Sequence, residues 1–148
     1  MVEIIIKNFY VIAGGILSIA SGGYVAYWNY KKNRLAEASM RFRNKVLAEL
    51  EGLYPVTQHW EQSIFPRFSH SITKIESACA EFRYFIPFYR KGAYDKAIKD
   101  YCKYCNETTW ESCVGHAMWP EMRKPGDIGP RETFKNIVEH LFSFAKEI

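Results

Sequence analysis

The apolar residues of this chain change rhythm as it proceeds. From Phe9 to Trp28 they form an almost continuous run of 20 residues, FYVIAGGILSIASGGYVAYW, and no charged residue lies in the 23 positions from Asn8 to Tyr30. A helix of about 20 residues spans roughly 30 Å, the thickness of a bilayer's hydrocarbon core. Phe9 and Tyr10 stand at one end of the run, and Tyr27, Trp28 and Tyr30 at the other. Amphipathic rings take such places at membrane interfaces. The pattern predicts a transmembrane anchor over residues 1–30. A cleaved signal peptide is the main rival, with Lys7 as its basic region and Ser18-Ile19-Ala20 as the small-residue site. Against it, Glu3 and Ile4 to Ile6 make a poor leader start, and the apolar run passes beyond Ala20. A buried soluble helix is a weaker rival, because such a long charge-free run is unusual in a small soluble domain.

Beyond residue 34 the apolar positions become periodic. Phe42, Val46, Leu50 and Leu53 share one face of a helix predicted over 35–54, which runs on from the anchor and closes at Pro55. A second helix is expected from near Thr57, with Pro66 kinking or restarting it. Phe68, Ile72, Ile75, Cys79, Phe82 and Ile86 then follow heptad spacing up to Pro87, a seam for either an intramolecular hairpin or a dimer. Tyr94, Ala97, Ile98, Tyr101, Cys102 and Cys105 mark a third helix over 93–107. Phe134, Ile137, Val138, Leu141, Phe142 and Ala145 mark a fourth, from Pro130 or Arg131 to Lys146. No segment alternates with period two for long enough to make a sheet. The expected fold is mostly α: a single transmembrane helix (1–30), a basic juxtamembrane helix (31–54) and a small cytoplasmic helical bundle (55–148).

Within that bundle, residues 115–130 hold three prolines and three glycines in 16 positions, which predicts a long loop. Its Met118, Trp119 and Met122 either cap the bundle or form a partner-binding patch. In the anchor, Gly14, Ser18 and Gly22 recur every fourth residue, a stripe of small side chains that lets two helices approach closely. This stripe makes a homo-oligomer, or another membrane-associated protein, the expected partner.

Charge sharpens the topology. Lys31, Lys32, Arg34, Arg41, Arg43 and Lys45 face a single acidic residue, Glu37, over the same stretch. The positive-inside rule places the N-terminus outside and the C-terminal domain in the cytoplasm, at the inner or plasma membrane. The same six residues suit anionic lipid headgroups. From Val46 to Ile148 there are 13 basic and 14 acidic residues, so the formal charge of +4 belongs to the membrane-proximal stretch. That distribution argues against nucleic acid as a partner. With 148 residues, 24% of them charged and 24 aromatic rings (Phe 10, Tyr 10, Trp 4), the chain has material for one modest core and no room for a multi-domain enzyme.

Candidate chemistry is sparse. Cys102, Cys105, Cys113 and His116 read C-x2-C-x7-C-x2-H, residue types that bind zinc tetrahedrally. The competing reading buries Cys102 and Cys105 as small apolar groups on a helix face, and no other cofactor is suggested. Ser71 and Lys74 match the SxxK pattern of some serine acyl-enzymes but lack its companion motifs. His59, His70 and His140 form no ligand pair, and no phosphate-binding glycine loop is present. The sequence thus predicts a membrane-anchored helical interaction or assembly protein with no evident catalytic activity. The alternatives are a zinc-stabilised domain on the same anchor and a toxin- or phage-type membrane-active protein assembling through the glycine-rich span.

Overall fold

The computed structural model describes residues 2–55, 60–118 and 128–146, and within residues 2–21 and at Ala117 it describes only the backbone. The described residues are mostly helical and contain no strand. Five α-helices follow one another: α1 (Val2–Glu49), α2 (Phe65–Phe82), α3 (Lys91–Glu107), α4 (Trp110–Met118) and α5 (Pro130–Ser143). The chain divides into two compact units, residues 1–37 with Ile148 and residues 38–147. The residues of the helix expected over 31–54 lie in α1 as far as Glu49, and from Ala38 onward they belong to the second unit.

In the first unit α1 continues without a break. Tyr24, Tyr27, Trp28 and Tyr30 are exposed. The Lys32 ammonium lies 4.2 Å from the Trp28 ring centroid, and the Arg34 guanidinium lies 5.7 Å from that of Tyr30. Such pairs hold cations over aromatic faces. Among the described residues no helix is long and apolar enough to cross a membrane. Most of the apolar run from Phe9 to Trp28 falls in residues 1–21, whose side chains lie outside the description.

The second unit is a bundle built on the predicted faces. Phe42, Val46, Leu50 and Leu53 are all buried, as are Tyr94, Ala97, Tyr101 and Cys105 on α3 and Phe134, Val138, Leu141 and Phe142 on α5. Gly52, with φ of +82°, stops α1, and a Cβ there would meet Arg67 Nη1 at 3.2 Å. Leu53 and Tyr54 N–H both return to the Leu50 carbonyl, so the stop is a left-handed glycine cap lying ahead of Pro55. The chain then reverses. Glu49 pairs with Lys74 and Lys45 with Glu81 at 2.9 and 2.7 Å, and Phe42 stacks on Phe82 with centroids 4.7 Å apart. These rungs set α1 and α2 antiparallel. Tyr94 beside Phe82, with Tyr101 bonded to Ser71, sets α3 antiparallel to α2. Tyr104 beside Phe134 and Tyr94 beside Phe144 turn α5 back again.

The bundle consequently has two distinct ends. Trp60, Phe65, Phe68, Trp110 and Phe134 cluster at one, and Phe42, Phe82, Tyr94, Phe142 and Phe144 at the other. Ala38, where the chain comes into this unit, lies one helical turn before Phe42 and so belongs to the second end.

Several expectations are corrected. The helix expected from near Thr57 begins as α2 at Phe65, after one tight turn over Gln62–Ile64, with Pro66 in its first turn; residues 56–59 lie outside the description. Pro66 therefore restarts the helix, using its missing N–H where none is needed. The helix ends at Phe82 and not at Pro87, because the residue before a proline is pushed to extended backbone, as Ile86 is with ψ of 126°. The heptad seam is consumed within the chain: Phe68, Ile75, Cys79, Phe82 and Ile86 are buried and Ile72 packs against them, which leaves no seam for a dimer. Helix α5 stops at Ser143, short of Lys146. The loop expected from Gly115 begins later, because α4 carries the helix through Gly115 to Met118.

Candidate functional site

The four proposed zinc ligands divide between two helices, Cys102 and Cys105 on α3, Cys113 and His116 on α4. Cys102 Sγ donates to Glu76 Oε1 on α2 at 3.4 Å, away from α4. Cys105 is buried in the core, and Cys113 packs against its edge. The His116 ring lies against Gly129, where a Cβ would approach it to 3.2 Å. Among the described residues no three His, Cys, Asp or Glu side chains stand together as metal ligands. Burial also disfavours the thiolate that a metal or a nucleophilic role needs. It pushes Cys79 and Cys105 up to about 11 and Cys113 upward; at Cys102 burial, then the bond to Glu76, takes the thiol to about 12.

The SxxK pair is likewise separated. Ser71 is buried and its Oγ donates to the Phe68 carbonyl at 2.8 Å, while Lys74 is exposed and pairs with Glu49 on α1. A hydroxyl held in the core and an ammonium engaged on the surface have no common reacting point. His70 is exposed on α2, His140 tilts over Phe144 at 5.5 Å, and His59 lies outside the described residues. The groove between α3 and α5, lined by Asp100, Asn136 and His140 with Ile128 and Ile137, is open to solvent.

The six basic residues read as lipid-facing play unequal parts. Lys31, Lys32, Arg34, Arg41 and Arg43 are exposed. Arg43 lies 5.5 Å over the Phe142 ring, and Lys45 is engaged by Glu81. Of the small-residue stripe, Gly22 is exposed, and a Cβ on it would meet nothing within 4 Å; the Gly14 and Ser18 side-chain positions lie outside the description. Of the partner loop, Met118 is exposed at the end of α4, while Trp119 and Met122 lie outside the described residues.

One surface feature was not anticipated. Between α2 and α3 the chain reads RYFIPFYRK, Arg83 to Lys91, three basic residues and no acidic one. Tyr84, Phe88 and Tyr89 are 88%, 91% and 82% exposed. The segment is nevertheless tightly held. Arg83 grips Asp95 through two bonds of 2.7 and 2.8 Å, Phe85 stacks on Phe82, Ile86 is buried, and Arg90 lies 4.9 Å over Phe144. Inward anchors thus display three rings outward, at the end of the bundle where the chain comes in. The available signal was composition, since four of the nine residues are aromatic rings and three are cations. Pro87 breaks the helical period, so periodicity does not say which rings face out.

Comparison with protein-family models, with characterised proteins and with solved structures finds no match to this chain.

Proposed function

We propose that this chain is a single-span membrane protein whose helical bundle is held on the cytoplasmic face as an interaction or assembly module, with no chemistry of its own. The carrying observation is the 23-position charge-free stretch inside one continuous helix, Val2–Glu49, followed directly by a basic segment. A helix of 48 residues is about 72 Å long, enough to cross roughly 30 Å of hydrocarbon and still supply the first helix of the bundle. The exposed Trp28 and Tyr30, each with a cation over its face, suit the cytoplasmic interface. The nucleophile-type side chains of the bundle lie mainly inward, which supports a role of placement: confinement to a surface raises the local concentration for weak partners.

Expression of the full chain with membrane fractionation tests this reading. The chain should stay with membranes through alkaline carbonate washing, and protease added to inverted vesicles should digest the bundle. Recovery in the carbonate supernatant sinks the anchor, and a bundle protected in inverted vesicles sinks the orientation. Replacing Ser18 and Gly22 by Leu should reduce self-association in detergent if the small-residue stripe is the contact; an unchanged oligomer removes that part.

A further inference from the structure

The geometry points to the Arg83–Lys91 segment as a second contact with the bilayer, in which Tyr84, Phe88 and Tyr89 enter the headgroup layer of an anionic lipid surface. It rests on the membrane-anchored reading above. Three large rings standing in water need an explanation, because an exposed cluster of this kind marks an interaction surface. The explanation is not local disorder: Arg83 is clamped by Asp95, Phe85 and Ile86 turn inward, and Arg90 packs on Phe144.

Three observations favour lipid over protein. The ring chemistry is that of an interface, since tyrosine joins an apolar body to a hydroxyl that can stay with water and phosphate. The charge left over is of the complementary sign: Arg83 is matched by Asp95, but Arg90 and Lys91 bring two further cations with no acidic residue inside the segment, and Arg43 lies at the same end of the bundle. The place is also right. Phe42 stacks on Phe82, the last residue of α2, so the segment just beyond Phe82 lies at the end where the chain comes in from the apolar stretch. Nine residues separate Trp28 from Ala38. They keep this end of the bundle within a few tens of ångströms of the interface by chain length alone.

The consequence is functional. A second contact would fix which face of the bundle points at the membrane and which at the cytosol. The groove between α3 and α5 and the Met118 end would then be presented in a defined orientation.

The test uses the full chain in vesicles, with Phe88→Cys or Tyr84→Cys carrying an environment-sensitive NBD dye, and Lys103→Cys at the opposite end as reference. The unsubstituted chain, labelled in parallel, reports any reaction at native thiols, and flotation reports the anchor. In vesicles of phosphatidylcholine with phosphatidylglycerol, dye at positions 84 and 88 should shift to the blue and be quenched by doxyl-labelled lipid, while dye at 103 should stay as in water. Arg90→Gln with Lys91→Gln should lower the contact equilibrium about fivefold per charge removed, with flotation unchanged. A chain that floats with positions 84 and 88 as wet as 103 overturns the second contact and spares the anchor. A blue shift that ignores doxyl lipid but grows with protein density assigns the surface to another protein copy and also overturns it. A chain that does not float overturns the anchor, and the lipid contact with it.

Discussion

Ser71 and Tyr101 offer a sharp test of the core, because removing either partner should cost a different amount. Ser71 Oγ sits 2.8 Å from the Phe68 carbonyl and 2.8 Å from the Tyr101 hydroxyl. Serine has one hydroxyl hydrogen, and the carbonyl can only accept, so Ser71 donates to Phe68 and Tyr101 donates to Ser71. Both residues are buried, and burial holds the Tyr101 phenol far above its ordinary range, so it is a neutral donor throughout the working pH range. Ser71→Ala takes that acceptor away and leaves the phenol only the weaker Cys105 sulfur in the core, at a cost of about 1–3 kcal/mol. Tyr101→Phe leaves Ser71 still bonded to Phe68 and loses only a net hydrogen bond, about 0.5–1.5 kcal/mol.

The double variant removes the donor together with its lost acceptor, so it should be no less stable than Ser71→Ala alone. The coupling between the two sites should reach about 1 kcal/mol or more. Urea unfolding of the bundle in the detergent-solubilised full chain, followed by helical circular dichroism and, with Trp28, Trp110 and Trp119 replaced by Phe in every variant, by Trp60 fluorescence, measures all three. Trp60 is a suitable reporter because it is buried with its ring 5.3 Å from that of Phe68. Two results refute the reasoning: Tyr101→Phe costing more than Ser71→Ala, or the single effects adding. Either would mean that the hydroxyl pair is not the contact described, and would reopen Ser71 to a role on the surface.

Two further outcomes follow from the thiols and the surface charges. Cys79 and Cys105 should resist alkylation in the native chain, and Cys102 should react slowly at neutral pH; Glu76→Gln should speed Cys102, since the carboxylate helps hold its thiol up near 12. Mass mapping of modified peptides reads this, and rapid labelling of Cys79 in the folded chain would contradict the burial. The Asp95 carboxyl is held below its ordinary range by the bond from Arg83, so its contribution is present above its unfolded value and is lost as pH falls through the lower folded one. Thermal unfolding between about pH 5 and pH 2 should show a decline that is shallower in Asp95→Asn, and parallel curves would dismiss the pairing as energetically silent.

The core was legible where periodicity runs unbroken. Phe42, Val46, Leu50 and Leu53 repeat at helical spacing and are all buried, because an amphipathic helix can satisfy such a stripe only by packing it. Helix α4 escaped notice because its signal lies in its cap and not in its period. Thr109 and Ser112 exchange reciprocal bonds, Thr109 N–H to Ser112 Oγ at 3.2 Å and Ser112 N–H to Thr109 Oγ1 at 3.3 Å. That is a serine version of the capping box, and the T-x-x-S that encodes it is Thr109-Trp110-Glu111-Ser112, at the very start of the helix. Once started, the helix passes Gly115, since a glycine weakens a helix by only about 1 kcal/mol. The CxxC spacing left two readings open, zinc ligands or packed thiols. Ligand types at the right intervals lie on a face whose burial was equally visible, and packing decided the orientation of Cys102 and Cys105. The rings at Tyr84, Phe88 and Tyr89 were in plain view as residues, but only the tertiary anchors beside them determine which way they face.

These placements bear jointly on what kind of protein this is. Here Ser71 is bonded inward to Tyr101, Cys79 and Cys105 lie in the core, and Cys102 is turned toward Glu76. The strongest ion pairs, Lys45 with Glu81 and Arg83 with Asp95, brace one helix against the next. The most exposed rings of the bundle, Tyr84, Phe88 and Tyr89, lie together in one segment, at the end marked by Phe42 and Phe82. On the function proposed above, a bundle packed in this way would act by being held at the membrane in a fixed orientation. The apolar stretch in α1 supports a holding place, and the rings beyond α2 support an orientation.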